Sequence, residues 1–211
     1  MREAGRGVKE GLKRESKLEK RETERRLLRG AELLFLFRMS KNLIARLAGG
    51  DRRTIGRSDE VAAVVSKNPK LFSSLIAGLW SADALVRMRA TDAAEKVTRT
   101  KPELLRQPKK ELLGLMAEES QIEVRWHLAA MIPRLTLNAK ERQIAVAALH
   151  TYLEDRSSIV RTYALQGLAE LAENDASMRP AVMELLREST RSGTPAMKVR
   201  SRKLLLRLER S

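Results

Sequence analysis

A Val-Arg pair stands at four places in the chain, Val86-Arg87, Val124-Arg125, Val160-Arg161 and Val199-Arg200, at gaps of 38, 36 and 39 residues. Its apolar surroundings recur with it. Ala90, Leu128 and Ala164 follow the first three valines at plus four, Ala94, Ile132 and Leu168 at plus eight, and Val97, Leu135 and Leu171 at plus eleven. Those offsets fall on one stripe of an α-helix. A period of this size marks stacked supersecondary units, none of which covers its own apolar stripe alone. The chain is thereby expected to be all-α, a right-handed α–α superhelix of about five helical hairpins.

Boundary chemistry places the helices. The first helix of each pair is expected over 70–80, 109–118, 139–153 and 178–190, the second over 83–98, 122–136, 157–172 and 196–209. Asn138 with Glu141 reads as a capping box. Thr194-Pro195 reads as an N-cap followed by the first helical residue, and Pro102 and Pro108 suit first-turn positions. Pro133 should kink or shorten its helix, because it donates no backbone hydrogen bond. Ahead of these pairs, a helix over Leu27–Leu47 ends at Gly49-Gly50. Ser58 then reads as the N-cap of a helix stopped by Asn68-Pro69. This atypical first unit would close the core. Leu75, Leu79, Leu113, Met116, Leu149, Leu153, Leu185 and Leu186 are expected to line the core from the first helices.

Residues 1–26 are mostly Arg, Lys and Glu without an apolar stripe, and are expected to be a frayed or disordered charged extension to a repeat domain at 27–211. Met39 is an alternative start of translation. The formal charge of +15 divides into +5 over residues 1–38 and +10 over 39–211, so it is spread along the chain. Such a field favours encounter with acidic protein surfaces or nucleic acid. No uncharged apolar run reaches the roughly 18 residues of a spanning helix, and no signal-peptide pattern stands at the start. With no cysteine, disulfides, thiolate zinc sites and a cysteine nucleophile are excluded, and a reducing, cytoplasmic setting is the expectation.

Glu154-Asp155-Arg156-Ser157-Ser158-Ile159-Val160-Arg161-Thr162-Tyr163-Ala164-Leu165 resembles the turn and second helix of a HEAT repeat, of the armadillo-type helical class. There an acidic turn residue, Val-Arg and then Ala open the inner helix. The resemblance covers about residues 59–209, and Lys203 departs from it where a small residue belongs. Gaps of 36–39 fall below the roughly 40–47 residues usual for such units. The resemblance implies that Arg87, Arg125, Arg161 and Arg200 are structural, tying the second helices to turn acids such as Asp83, Glu119 and Asp155.

The helix face opposite the valines carries the binding candidates. At plus two, six and nine stand Met88, Asp92 and Glu95, then Trp126, Ala130 and Pro133, then Thr162, Gln166 and Ala169. Arg89, His127, Tyr163 and Arg202 flank them. Met88, Arg89, Trp126, His127, Thr162, Tyr163, Gln166 and Arg202 are therefore the expected binding face, with Trp126 as anchor because indole buries much area and keeps one donor. Trp80, at a helix end, is expected to be buried. His127 and His150 lie on different helices, and no metal motif, phosphate loop or nucleophile elbow is present. No catalytic residue, metal or cofactor is expected.

The expected role is a non-enzymatic scaffold or adaptor holding a protein or peptide, for which the basic charge favours an acidic one. Nucleic-acid binding is the alternative. Some HEAT-like solenoids resemble alkylpurine DNA glycosylases, which pair groove tryptophans with an aspartate on the same helix; here Trp126 and Asp92 stand on different units. A chromophore-attaching lyase subunit of similar repeats has no marker here.

Overall fold

The computed structural model describes residues 26, 27, 30, 34, 38–51 and 53–210. Two compact units divide the chain, Met1–Asn42 and Leu43–Ser211. In the first, residues 26, 27, 30, 34 and 38–42 are helical. The expectation of a frayed extension over 1–26 falls, apart from Arg26, outside the described residues.

The second unit is all-helical, with no strand among the described residues. After a helical end at 43–45, its helices are α1 (Ser58–Lys67), α2 (Phe72–Ala77), α3 (Ala84–Thr100), α4 (Lys109–Glu118), α5 (Ile122–Met131), α6 (Ala139–Leu153), α7 (Ser158–Glu173), α8 (Arg179–Ser192) and α9 (Pro195–Leu208). The odd-numbered helices form a continuous row in which each packs on the next, α1 on α3, α3 on α5, α5 on α7 and α7 on α9. Each even-numbered helix packs on the odd-numbered helix that follows it.

Local chemistry explains most boundaries. Asn138 accepts a hydrogen bond from the Glu141 amide, while the Glu141 carboxylate accepts one from the Asn138 amide, both at 2.9 Å. Thr194 caps α9, with Pro195 as its first residue. The α-helical part of α5 stops at Met131, and Ile132–Arg134 continues as a 3-10 turn around Pro133. Pro102 opens a 3-10 turn, whereas Pro108 sits at the N-cap of α4. The helix expected over 70–80 is interrupted: 3-10 turns at Pro69–Leu71 and Gly78–Trp80 flank the short α2. At Gly78 the chain packs closely on its neighbours, since a Cβ there would meet the Ala90 methyl at 2.9 Å and Ile44 at 3.0 Å.

Two expectations need correction. Ser58 is not an N-cap but the first residue of α1, behind Arg57 at the cap, and its hydroxyl turns inward to Asp92. In the fourth unit the repeat register is displaced. Val86, Val124 and Val160 are buried, but Val199 is 52% exposed. The residues that face the core in α9 are Met197, Ser201, Leu204 and Leu208, so Met197 takes the valine's place 37 residues after Val160. The Thr194 cap and Pro195 set this phase by starting the helix two residues ahead of Met197. Buried Ser201 then occupies the small-residue position, and Lys203 is no departure at all.

From the even helices, Leu75, Leu79, Leu113, Met116, Leu149 and Leu186 are buried, while Leu153 and Leu185 are half-buried. Gly167 marks a close approach of helix to backbone inside the array. A Cβ on it would lie 2.9 Å from the Ala129 carbonyl oxygen and 3.1–3.2 Å from the Leu149 methyls. Gly114, by contrast, has nothing within 4 Å of its missing Cβ. Gly167→Val should therefore destabilise the fold by about 1–3 kcal/mol through overpacking against backbone. Gly114→Ala should leave stability unchanged or raise it by up to about 1 kcal/mol. Urea denaturation of both variants checks the contrast.

A candidate interaction groove on the odd-helix row

A recess of about 620 Å³ lies where α3 and α5 run past the loop that carries Asp51, Arg53, Thr54 and Ile55. Its walls include Met88, Arg89 and Asp92 from α3, Glu123, Trp126 and His127 from α5, and Asp51, Arg53, Thr54 and Ile55 from the loop.

Arg89 builds one wall and is only 2% exposed. Its Nη1 donates to the carbonyls of Leu47 (2.9 Å) and Gly49 (2.6 Å). Nη2 donates to the Asp51 carbonyl at 2.9 Å, and Nε and Nη2 reach the Thr54 carbonyl at 3.3 Å. The guanidinium's five donors are thus consumed by the loop. Three glycines let the backbone close around it: Gly49, Gly50 and Gly56 have φ of 74°, 81° and 52°. At Gly56 a Cβ would sit 2.6–2.9 Å from guanidinium atoms, so both conformation and space demand glycine there.

Asp92 anchors the floor. Its Oδ2 accepts from the Ser58 hydroxyl and, at 2.7 Å, from Lys96, while Oδ1 faces Nε2 of His127 at 3.2 Å. Nδ1 of His127 lies 2.5 Å from the Glu123 carbonyl, an acceptor, and so carries a proton. The ring thus bridges the Glu123 carbonyl and the Asp92 carboxylate. Lys96 also reaches Asp59 on α1 at 2.5 Å, so three helices meet at one carboxylate. Burial pushes the Asp92 carboxyl up, but the hydrogen bonds from His127, Lys96 and Ser58 outweigh it and leave its pKa at about 2. Further along α3, burial raises the Glu95 carboxyl while Arg99 and Arg134 bring it below its usual range. Arg134 donates to it from beyond α5, at 2.5 Å.

Half-buried Trp126 stacks on His127 and lies 4.9 Å, centroid to centroid, from Tyr163 of α7. Arg200 sits 5.8 Å from the Tyr163 ring and donates to Gln166 at 2.5 Å. Met88, Arg89, Trp126 and His127 thus share the recess, and Tyr163 and Gln166 continue the same face. Thr162 is buried and bonds back to the Ser158 carbonyl at 2.7 Å. Arg202 is exposed on α9 and does not line the recess. Trp80, expected to be buried, is 48% exposed, because its 3-10 turn ends the unit at the surface.

Arginines of the repeat pair behave as joints. Arg87 donates to the Ser81 carbonyl (2.8 Å) and Gln121 (3.1 Å), with Glu119 at 3.9 Å. Arg125 donates to the Glu119 carbonyl at 2.6 Å and Asp155 at 2.5 Å. Asp83 instead caps α3 through the Leu85 amide. Nε of Arg161 is buried without a partner; Ser192 stands where the earlier turns carry Glu119 and Asp155. Arg200 is no repeat arginine, since the displaced register puts Lys198 after Met197.

No protein-family model matches the chain, and no curated protein shows significant similarity to it. Chemistry must therefore be read from the groove itself. Asp92 and Trp126 do meet in one recess, but three donors occupy that carboxylate. Among the described residues no cluster of His, Cys, Asp or Glu could hold a metal ion, and no helix is long and apolar enough to cross a membrane. The loop residues Asp51, Thr54 and Ile55 were not among the sequence candidates; the three closely spaced glycines were the available signal for a structured wall.

The depressed Asp92 carboxyl predicts an acid-sensitive joint. Its folded-state pKa of about 2 lies below the unfolded value near ~4. Its contribution is therefore complete above pH ~4 and is lost as pH falls toward ~2. The difference in thermal midpoint between wild type and Asp92→Asn should be widest above pH ~4 and shrink toward pH ~2. A pH-independent difference contradicts the assignment.

Proposed function

We propose that the chain is a non-enzymatic scaffold or adaptor of HEAT-like architecture that holds a segment of a partner protein in the recess over Trp126. The observation that carries this reading is the division of labour in the groove. Trp126, Met88 and Ile55 supply apolar surface, and Asp51, Arg53 and Glu123 supply a polar rim. An aromatic anchor inside a polar rim is the pattern of protein interfaces.

Nucleic-acid binding is the weaker reading. Phosphate recognition needs several cations with donors to spare, whereas most along this face are engaged, Arg89 by carbonyls, Lys96 by Asp92 and Asp59, Arg134 by Glu95, Arg200 by Gln166 and Arg207 by Glu173, which leaves Arg53 at the recess. The glycosylase-like variant is weaker still, because the Asp92 carboxylate is tied to Ser58, Lys96 and His127. The +15 charge supports faster encounter with acidic partners, and the cysteine-free sequence suits a cytoplasmic setting.

Affinity capture from native lysate with the tagged full chain tests the reading. Partners should survive nuclease treatment and be lost with Trp126→Ala, which should weaken binding by about 2 kcal/mol or more, roughly 30-fold. The variant's thermal midpoint establishes that it is folded. Loss of every partner to nuclease would favour nucleic acid, and retention by folded Trp126→Ala would remove the anchor.

A further inference from the structure

A second surface, independent of the Trp126 recess, lies on the outward face of α9. Val199, Arg202, Lys203 and Leu206 follow one another at plus three, four and seven, which places them on one helical stripe, and Arg210 follows just past the helix end. Val199 and Leu206 are 52% and 54% exposed, and Arg202, Lys203 and Arg210 are exposed beside them.

The repeat register shows what this stripe is. Thirty-seven residues earlier, Val199, Arg202 and Leu206 correspond to Thr162, Leu165 and Ala169 of α7. All three are buried, and α7 is the helix on which α9 packs. Counted from Val86, the same positions in α3 are Met88, Thr91 and Glu95, likewise buried, and α3 carries α5. The stripe is therefore the stacking face of the row, and on α9 no element among the described residues covers it.

Its charge differs from that of the stacking faces on α3 and α7. Six residues after the core valine, α3 carries Asp92 and α7 carries Gln166, acceptors that face His127 and Arg200 of the covering helix. On α7, Glu173 likewise receives Arg207 of α9. The corresponding positions hold Lys203 on α9 and Arg210 just beyond its end. Arg202, Lys203 and Arg210 have no ion pair among the described residues. A covering helix that brought cations, as those on α3 and α7 do, would meet like charge here. A second copy of this same face would set Arg202 and Lys203 against like charge, which disfavours self-association.

We propose that the Val199–Leu206 stripe of α9 docks an amphipathic helix of a partner protein that carries apolar residues seven apart, matching Val199 and Leu206, flanked by Asp and Glu opposite Arg202, Lys203 and, past the helix end, Arg210. Charge complementarity selects this occupant, and apolar contact at two sites one helical heptad apart sets its register.

Selection of displayed helical peptides on the full chain, with the Arg202→Glu/Lys203→Glu variant as counter-selection target, reads the occupant's chemistry. Enriched peptides should carry two apolar residues seven apart with acidic neighbours. A synthetic copy should bind wild type about tenfold or more tightly than it binds the double variant or Leu206→Ser. It should bind more weakly as salt rises, and equally well to Trp126→Ala. Arg202, Lys203 and Leu206 are exposed, so unchanged thermal midpoints are expected for the double variant and for Leu206→Ser. Enrichment of basic or uncharged peptides, equal binding to the charge-reversed variant, or no enrichment at all overturns the proposal. Self-association of the wild type that disappears with Leu206→Ser, measured by sedimentation equilibrium, overturns it in favour of a second copy.

Discussion

Mutual shelter between successive odd-numbered helices is the constraint on which the rest of this structure depends. Val86, Val124, Val160 and Met197 are buried at equivalent points of four helices, and no hairpin of that length closes off its own stripe. Burial of one such side chain is worth roughly 1.5–3 kcal/mol, so the apolar row supplies the cohesion. Polar links then fix the angle of each joint. Arg125 to Asp155, Arg134 to Glu95, Arg200 to Gln166 and the Tyr152 hydroxyl to the Met116 carbonyl all reach from one unit to the next. Breaking such a link would leave a half-buried group without its partner, a cost larger than the link's net contribution.

The groove follows from that arrangement. Once α3 and α5 are parallel neighbours, the second and third residues after each valine face the joint, which is why Met88, Arg89, Trp126 and His127 come together. What sets the chemistry of the site is the fate of the charges. Arg89 is spent on holding the loop over 47–54, and Asp92 is spent on holding α1, α3 and α5. With both fixed, the groove offers an indole, a thioether and a mixed polar rim of Asp51, Arg53 and Glu123. A site of this kind recognises shape and apolar surface more readily than phosphate.

Periodicity made most of the helices legible beforehand, because a stacked array repeats its burial pattern locally and the caps at Asn138 and Thr194 act within three residues. The misreadings have non-local causes. Val199-Arg200 copies the repeat dipeptide, yet the helix start at Pro195 rotates that pair away from the core, and only the burial of Met197 and Ser201 discloses it. Ser58 has the side chain of an N-cap, but a buried carboxylate 34 residues away competes successfully for its hydroxyl. Arg89 stood among the binding candidates as a flanking cation. Its role is set by carbonyls 35–42 residues away, which no helical spacing can foretell. Trp80 was expected inside from its place at a helix end, but the 3-10 turn that carries it leaves it 48% exposed.

Native-state hydrogen exchange on Leu128→Ala tests the central claim most directly. Leu128 is fully buried in α5, in the middle of the row, and its truncation should remove about 2–5 kcal/mol. If neighbouring helices shelter one another, amides in α3, α5 and α7 will lose protection together. Loss confined to α5, with α3 and α7 as protected as in the wild type, would contradict a shared core.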